Sequence, residues 1–467
     1  MGKLCGGNSL AGNCKVQLEG ILCFWVGHFK SSLVIIFSIV VFMVLMQTVS
    51  VGYEYLNSYT RPPNHRIFNG VVPSLRQNHC DVTGVKFWKE NMVTLLQPRI
   101  EANCSSLVAG NETEFMKVKE KLRTWKNAQP EEEFLKGLDN CSHILEEYIN
   151  NFYISPEEES FPLAYILVVY TNVRQVLRLL KVIYRPHNLY CIHPDAKQKA
   201  EFITAFLCIS RCLSNVFIAS KLEKVYYQHH SIMDAQLNCM EDLMRFDLHR
   251  WKYAINLCGR ELPLKTNREI VQGLMKLNGS SVIKANEISE ADLDRFHYKV
   301  SVFIFGYTFY RRTNPGPTPI KIYKAMNYMA ITRPFMSFLL NNETAIALRK
   351  YLKDVLIPEE HFYGSLYKLP NVPGGPPRKP NVKIPSVYKT IWLTSGHNEP
   401  CKGREVHGIC VVSSGDLPLV YSMGLNPGQP VFFFNKYFME WDHVVMDCTE
   451  RRLVEMNKLE YEQDCLI

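Results

Sequence analysis

The chain has 467 residues and a formal net charge of +8 from 53 Lys and Arg against 45 Asp and Glu. That charge is mild for the length: it permits an anionic ligand without demanding one. No basic stripe interleaved with aromatics points to nucleic acid, which is excluded as a partner. Residues 1–31 carry Lys3, Lys15 and Lys30 and read as a cytosolic tail. Leu33 to Met46 is an apolar run, and with Gln47 to Tyr53 the span 32–53 reaches about 20 residues, enough to cross a bilayer. Glu54 follows it. Positive charge stays cytosolic, so the span reads as a type II signal anchor with everything beyond it lumenal. A cleaved signal peptide is the rival, but it starts nearer the N-terminus and ends at a small-residue cleavage site.

The cysteines agree with that compartment. Of 15, 12 follow the anchor, from Cys80 to Cys465, a density ordinary for the secretory path. No CxxC is followed by a matching CxxC or HxxxH, and the adjacent His229 and His230 cannot share a helix face, so zinc is not expected. Sequons at Asn103, Asn111, Asn140, Asn278 and Asn342 all lie beyond the anchor and support N-glycosylation.

Scattered Pro, Asn and Gly make 54–100 a stem. Residues 101–160 are read as a helical lumenal segment around Phe115, Val118, Leu122, Phe134 and Ile144. From residue 161 strands and helices alternate. Strands are expected at Ala164–Val169, Leu189–Ile192 and Val216–Ala219, and helices at Val173–Tyr184, Lys197–Leu207 and Ile232–Met244. Lengths of this kind predict an α/β domain over 161–467, with a mostly parallel sheet and helices on both faces. Pro370 to Pro385 is an exposed Pro/Gly-rich loop.

One unit carries most of the information: WKYAINLCGRELPLKTNREIV, residues 251–271. Tyr253 to Leu257 suits a buried strand, Gly259 to Pro263 supplies a turn, and Thr266 or Asn267 caps a helix through Ile270, Leu274 and Leu277. A polar loop at the carboxyl end of a buried strand is where open α/β sheets place ligands.

This unit resembles the core 2 and I-branching β-1,6-N-acetylglucosaminyltransferases, whose turn usually reads CGQDFP or CGMDFP before a similar KTN helix start. The likeness runs over about residues 100 to 450. It includes NCSSLVAGNETEF from Asn103, FPLAYILVVY (161–170), NLYCIHPDAK (188–197), NVFIASKLEKVYY (215–227), LNCMEDL (237–243), IPEEHFYGSLYKLPNVPG (357–374), CKGREVHGICVVSSGDL (401–417) and FNKY (434–437). The resemblance implies a GT-A-like fold in the Golgi membrane. It also implies UDP-GlcNAc as donor, no metal or other cofactor, and transfer to the 6-hydroxyl of a galactose or GalNAc residue of a glycoprotein glycan.

Site roles follow from the same likeness. An inverting transfer needs a base for the acceptor hydroxyl proton, and Glu360 lies where the family carries its catalytic glutamate. Its acidic neighbour Glu359 can tune it, although Pro358-Glu359-Glu360 also suits a plain helix start. The departing UDP needs positive charge. Lys436 matches the family's phosphate lysine, and His407 takes the second basic position, partly charged in a mildly acidic lumen. Asp195 corresponds to the residue facing the uracil, Val168 and Tyr227 to donor-pocket positions, Trp392 to an aromatic that stacks the acceptor sugar, and Arg295 to an acceptor-side cation. Asp292-Leu293-Asp294 is the only DxD and reads as a solvated helix face with no strand before it. Matching cysteines imply disulfides Cys104–Cys448, Cys141–Cys212, Cys191–Cys239 and Cys401–Cys410, with Cys258 unpaired near the donor. Cys80, Cys208 and Cys465 are left over as candidates for linking two chains into a homodimer.

Several positions depart from the family's pattern. Tyr170 replaces a histidine. Ile232 and Gln236 stand for an Arg and an Asp, and Arg260-Glu261 for Gln-Asp or Met-Asp. Lys324-Ala325-Met326-Asn327-Tyr328 stands for FGSAY, an exchange expected to crowd a sugar pocket. Lys284 replaces a glutamate and Asp292 a lysine, two reversals expected to repel what the usual members attract. Three readings follow: an active transferase with an unusual acceptor, a pseudoenzyme that binds glycan or a partner enzyme, or a xylosyl-type transferase.

Overall fold

The structure is a computed structural model that describes residues 100–465, less 126–133, 136, 139, 149–151, 247–249, 304–305, 312–317, 378–382, 394–399 and 426–429. The expected tail and anchor, Cys80 and the stem but for Ile100 lie outside the described residues. No helix among the described residues is long and apolar enough to cross a membrane.

Helices α1 (Cys104–Val108), α2 (Glu112–Thr124), α3 (Cys141–Tyr148) and α4 (Pro156–Ser160) come first. Asn103, Asn111 and Ser155 cap α1, α2 and α4, each accepting a backbone N–H two or three residues into the helix. Alternation then begins: β1 (Leu163–Val169), α5 (Val173–Ile183), β2 (Leu189–Pro194), α6 (Ala200–Cys212), β3 (Val216–Ile218), α7 (Ser231–Arg245), β4 (Tyr253–Leu257), β5 (Glu261–Pro263) and α8 (Asn267–Met275). Several boundaries differ from expectation, among them the far end of α6, which runs on to Cys212 rather than Leu207. Residues 197–199 stay out of α6 because Lys197 folds back onto Asp195, its Nζ 2.8 Å from Oδ2. Leu277 lies past the end of α8, just before Asn278 turns left-handed at φ 46°. The cap of α8 is Thr266: its hydroxyl accepts from Glu269 N–H while the Glu269 carboxylate accepts from Thr266 N–H.

The second half adds β6 (Ala285–Glu287), α9 (Glu290–Leu293), a 3₁₀ turn at Asp294–His297, β7 (Tyr298–Phe303), β8 (Gly306–Arg311), β9 (Tyr323–Ala325) and β10 (Ala330–Thr332). Helices α10 (Arg333–Asn341), α11 (Glu343–Leu352) and α12 (Glu359–Tyr367) follow, then β11 (Ser386–Lys389), β12 (Arg404–Val406), β13 (Ile409–Val411), α13 (Leu417–Leu425), β14 (Val431–Asn435) and α14 (His443–Cys465).

The main sheet has the order β10-β4-β1-β2-β3. Strands β4, β1, β2 and β3 are parallel and β10, at the other edge, is antiparallel to β4, so the fold is mixed α/β. In β1, Leu163, Tyr165, Leu167 and Val169 enter one core while Ala164 and Ile166 enter the other. Burial on both faces explains why the strand reads as a continuous apolar run. A smaller sheet, β11-β14-β5, lies beside it. Chain order reverses between β1 and β4, which opens a crevice outside their carboxyl ends.

Two buried ion pairs fasten α14 to this frame: Arg178 on α5 reaches Asp447 at 2.7 Å and Glu450 at 2.6 Å. The disulfides Cys104–Cys448, Cys141–Cys212, Cys191–Cys239 and Cys401–Cys410 are all present. Cys465 is disulfide-bonded too, so its thiol is not left over. Of the sequon asparagines, Asn103, Asn111, Asn140 and Asn278 are exposed and Asn342 is half-buried.

Candidate functional site

The turn after β4 builds the floor of the crevice. Gly259 sits at φ +80°, and a Cβ there would meet Val176 at 3.0 Å and Val169 at 3.2 Å, so only glycine lets the turn press onto β1. Glu261 follows, fully buried, and collects donors from every side. Its Oε2 accepts Cys258 N–H (3.0 Å) and Arg260 N–H (3.1 Å); its Oε1 accepts the Tyr328 hydroxyl (2.7 Å), Asn435 Nδ2 (3.0 Å) and the Cys258 thiol (2.9 Å). Pairing of β14 with β5 sets Asn435 opposite Glu261 and delivers Lys436 to the same place. Burial lowers the proton affinity of Lys436, opposed by Cys258 and Glu261 and aided by Arg260. Among the described residues no carboxylate is ion-paired with it; its Nζ lies 5.9 Å from the Phe438 ring centre.

Burial and the Glu261 charge push the Cys258 thiol well above its ordinary range. A thiol that donates to a carboxylate is a poor nucleophile. Cys258 is therefore expected to resist iodoacetamide in the folded chain and to react after denaturation, read by peptide mass mapping; rapid native labelling would contradict this.

Glu360 starts α12. Arg295, from the 3₁₀ turn, donates to its Oε2 at 2.5 Å and reaches Asp292 at 3.1 Å, and Lys324 donates to Asp292 at 2.8 Å. The Asp292-Leu293-Asp294 segment is thus not a uniformly solvated face, and the short strand β6 does precede it. Asp294 is exposed, but Asp292 is buried between two cations. Burial works against its charge, yet the Lys324 and Ser289 hydrogen bonds and the Arg295 charge hold it below its ordinary range.

Glu359, not Glu360, is the buried carboxyl of the pair: it is 4% exposed and its Oε2 has no hydrogen-bond partner. Burial lifts it from 4.5 to about 8, a backbone hydrogen bond opposes this, and the Glu360 charge adds to it. Between those values the folded chain keeps a proton that the unfolded chain has released, so stability falls as pH rises. Glu359→Gln is expected to raise the melting temperature at about pH 8 and to leave it unchanged at about pH 5. Equal offsets at both would refute the burial account.

Three contacts join these parts. Tyr388 on β11 is half-buried and packs against Tyr328, ring centres 4.0 Å apart. After burial, its hydroxyl responds to the charges of Glu360, Glu261 and Cys258. Tyr388 thus lies within electrostatic reach of Glu360 and of Glu261 and Cys258, and the last two also act on Lys436. Second, Ile357 N–H donates to Gln228 O at 3.0 Å, and both residues are left-handed, at φ 52° and 59°. For a β-branched residue that costs about 1–3 kcal/mol. This bond ties the loop bearing Tyr227 to the start of α12. Third, Val412 N–H donates to Lys436 O, which links Lys436 to the hairpin carrying His407.

The other expected site residues group on this side. His407 and Gly408 (φ 55° and 73°) make the two-residue turn between β12 and β13, the left-handed pair such hairpins need. The His407 ring stacks on Tyr227 at 5.0 Å. Trp392 is half-buried and bridges Ile409 of the same hairpin. Val168 is the one β1 residue left partly exposed. The buried Asp195 carboxylate is already engaged by Lys197 and Val225 N–H. A cavity of about 920 Å3 lies elsewhere, at the amino ends of β1 and β4, lined by Phe161, Arg250, Lys252 and Arg333 among others. No carboxylate lines it, so it offers no base.

A family model described as Core-2/I-Branching enzyme matches residues 163–418. The chain belongs to this family. Among curated relatives, a beta-1,3-galactosyl-O-glycosyl-glycoprotein beta-1,6-N-acetylglucosaminyltransferase 4 of Danio rerio is 33% identical over 329 residues, 68% of this chain and 75% of that one. An N-acetyllactosaminide beta-1,6-N-acetylglucosaminyl-transferase of Mus musculus is 36% identical over 65% of this chain and 75% of its own. A beta-1,3-galactosyl-O-glycosyl-glycoprotein beta-1,6-N-acetylglucosaminyltransferase of Homo sapiens is 30% identical over 76% and 86%. A solved mannosyltransferase, Ktr4p from S. cerevisiae, covers 59% of this chain and 81% of its own at TM-score 0.22 and 11% identity, too distant to inform the site.

Several of the positions where this family member departs from the usual pattern come in pairs. Lys324 binds Asp292, so that reversal is answered inside the chain. Gln236 donates to Asn327 at 3.0 Å and accepts from the Tyr363 hydroxyl at 2.9 Å. Arg260 lies 5.9 Å from the Tyr170 ring centre and donates to Gln175 at 2.7 Å. Ala325 does not crowd a sugar pocket: it turns into α12, where a Cβ on Gly364 would meet it at 2.6 Å. Sequence reasoning missed Tyr388 and the Glu261 hub, because nothing local to SVYK or GRE marks a residue that becomes a junction only when β14 and β11 arrive.

Proposed function

We propose that this chain is an inverting, metal-independent β-1,6-N-acetylglucosaminyltransferase that moves GlcNAc from UDP-GlcNAc to the 6-hydroxyl of a galactose or GalNAc residue on a glycoprotein glycan. Membership of the core-2/I-branching family and the named activities of the relatives support the reaction class. The observation that carries the site is the set of backbone ties: Ile357 N–H to Gln228 O joins the start of α12 to the Tyr227 loop, Val412 N–H to Lys436 O joins Lys436 to the His407 hairpin, and the pairing of β14 with β5 sets Asn435 against Glu261.

In this reading Glu360 takes the hydroxyl proton as the acceptor oxygen attacks the anomeric carbon from the face opposite UDP. Lys436, an ammonium without a described ion-pair partner, and His407 meet the charge that grows on the departing diphosphate. Asp195 faces the uracil beside Val168 and Tyr227. Trp392 packs on the acceptor sugar and Arg295 holds Glu360 in place. The catalytic part, GT-A-like over 161–467, stands in the Golgi lumen after a tail (1–31), an anchor (32–53), a stem (54–100) and the helical segment 101–160.

The full-length chain, UDP-GlcNAc and a panel of galactosyl and mucin-type acceptors test this, with and without EDTA. Transfer that survives EDTA and disappears in Glu360→Gln is expected. Loss with EDTA would remove the metal-free mechanism, and turnover of UDP-xylose instead would replace the donor. A glycan-binding pseudoenzyme is the second reading. The short Arg295–Glu360 ion pair favours it, because it occupies the base. Binding of UDP without transfer would establish it.

A further inference from the structure

We infer that Asp292 and Lys324 are positioning residues that set how strongly Arg295 engages Glu360. This rests on the reading of Glu360 as the base. Four charges stand in alternation: Glu360, Arg295 at 2.5 Å, Asp292 at 3.1 Å from Arg295, and Lys324 at 2.8 Å from Asp292. Arg295 uses different nitrogens for its two carboxylates, Nη1 for Glu360 and Nη2 for Asp292. A guanidinium has a fixed fork, so the grip of Asp292 aims the other arm at Glu360. Arg295 alone would bind Glu360 with undivided charge. Asp292 takes a share of that charge, and Lys324 in turn takes a share of Asp292.

The ladder is specific to this chain. The usual pattern has a lysine at 292 and the phenylalanine of FGSAY at 324, which gives two cations beside the base. Here the 292, 295 and 324 side chains sum to one positive charge. Both changed residues touch each other, and Ser289 also caps Asp292 at 2.7 Å. Among the described residues, Glu359 on its own helix and Tyr388 on β11 also feel the Glu360 charge. His361 turns inward onto Phe296 and is held neutral by burial, with the Arg295 charge adding to that effect.

Opposite substitutions then have opposite consequences. In Asp292→Asn the cations act undivided on Glu360 and favour its ionised form. The acidic limb of the rate profile moves to lower pH, by on the order of 0.5–1 unit, and the plateau kcat falls because a base that holds its proton less tightly accepts it less readily. In Lys324→Met the limb moves to higher pH by a similar amount. The double variant removes one charge of each sign and returns close to wild type.

The test uses the full-length chain with UDP-GlcNAc and a galactosyl acceptor for the kcat profile. In parallel, carbodiimide modification of Glu360 is mapped by mass spectrometry across the acid range, which reads its ionisation without any turnover. Opposite shifts in the two single variants, cancelled in the double, support the ladder. Absent shifts, or shifts of one sign, overturn it. If transfer is lost in Glu360→Gln but no shift occurs, the ladder fails and the function stands. If the labelling shifts occur in a chain that transfers no sugar, the ladder stands and the function fails.

Discussion

Glu360→Gln is expected to lower the rate of GlcNAc transfer by about 10²- to 10⁴-fold, the usual contribution of a positioned general base. Glutamine matches glutamate in shape and still accepts a hydrogen bond from Arg295, but it cannot take a proton at neutral pH. The site tolerates the exchange structurally. The Glu360 side chain is 26% exposed and joined to Arg295 rather than to the core, so the melting temperature should change little. KM for UDP-GlcNAc should also hold, because the groups assigned to the donor lie on β1, just after β2 and β14, on the Tyr227 loop and on the 404–411 hairpin rather than on α12. A kcat loss with unchanged donor KM is the signature of an interaction made only in the transition state. A loss of less than about tenfold would remove Glu360 from the role of base.

The second large effect concerns stability. Glu261→Gln is expected to cost about 3–5 kcal/mol, measured by denaturant unfolding. The Glu261 carboxylate accepts from two backbone N–H groups through one oxygen and from Tyr328, Asn435 and the Cys258 thiol through the other. A side-chain amide has one oxygen only. Whichever way it is turned, its NH2 faces donors, and buried donors without acceptors carry their full desolvation penalty. The damage should spread to function, since Lys436 follows Asn435 and is held over the same hub. Transfer that survives while stability falls would separate the hub from the site. A cost below about 1 kcal/mol would mean that water replaces the carboxylate there, against its complete burial.

Much of the frame was legible in the chain. The runs around Leu163–Val169, Leu189–Pro194 and Tyr253–Leu257 are buried on both faces, and continuous apolar sequence is the direct consequence. Thr266 with Glu269 three residues on is a local device, readable as such. The left-handed pair at His407-Gly408 is local too. The second sheet was not legible, because β5 is only three residues long and pairs with β14 from the far end of the chain. Nor was the fate of the altered positions. Lys324 and Asp292 look like isolated charge reversals along the sequence and are a hydrogen-bonded pair in space. Ala325 looks like an obstruction and instead fills the room left by Gly364.

The sequence by itself determined the α/β alternation, the family and the residue types available for catalysis, since periodicity, turn chemistry and ordered motifs act over a few residues. The tertiary structure decided which carboxylate is buried, which cation is shared and which has no ion-pair partner among the described residues. Those outcomes depend on desolvation and on charges that meet only when β9, β11, β14 and α12 converge, and neither quantity is written in the order of residues along the chain.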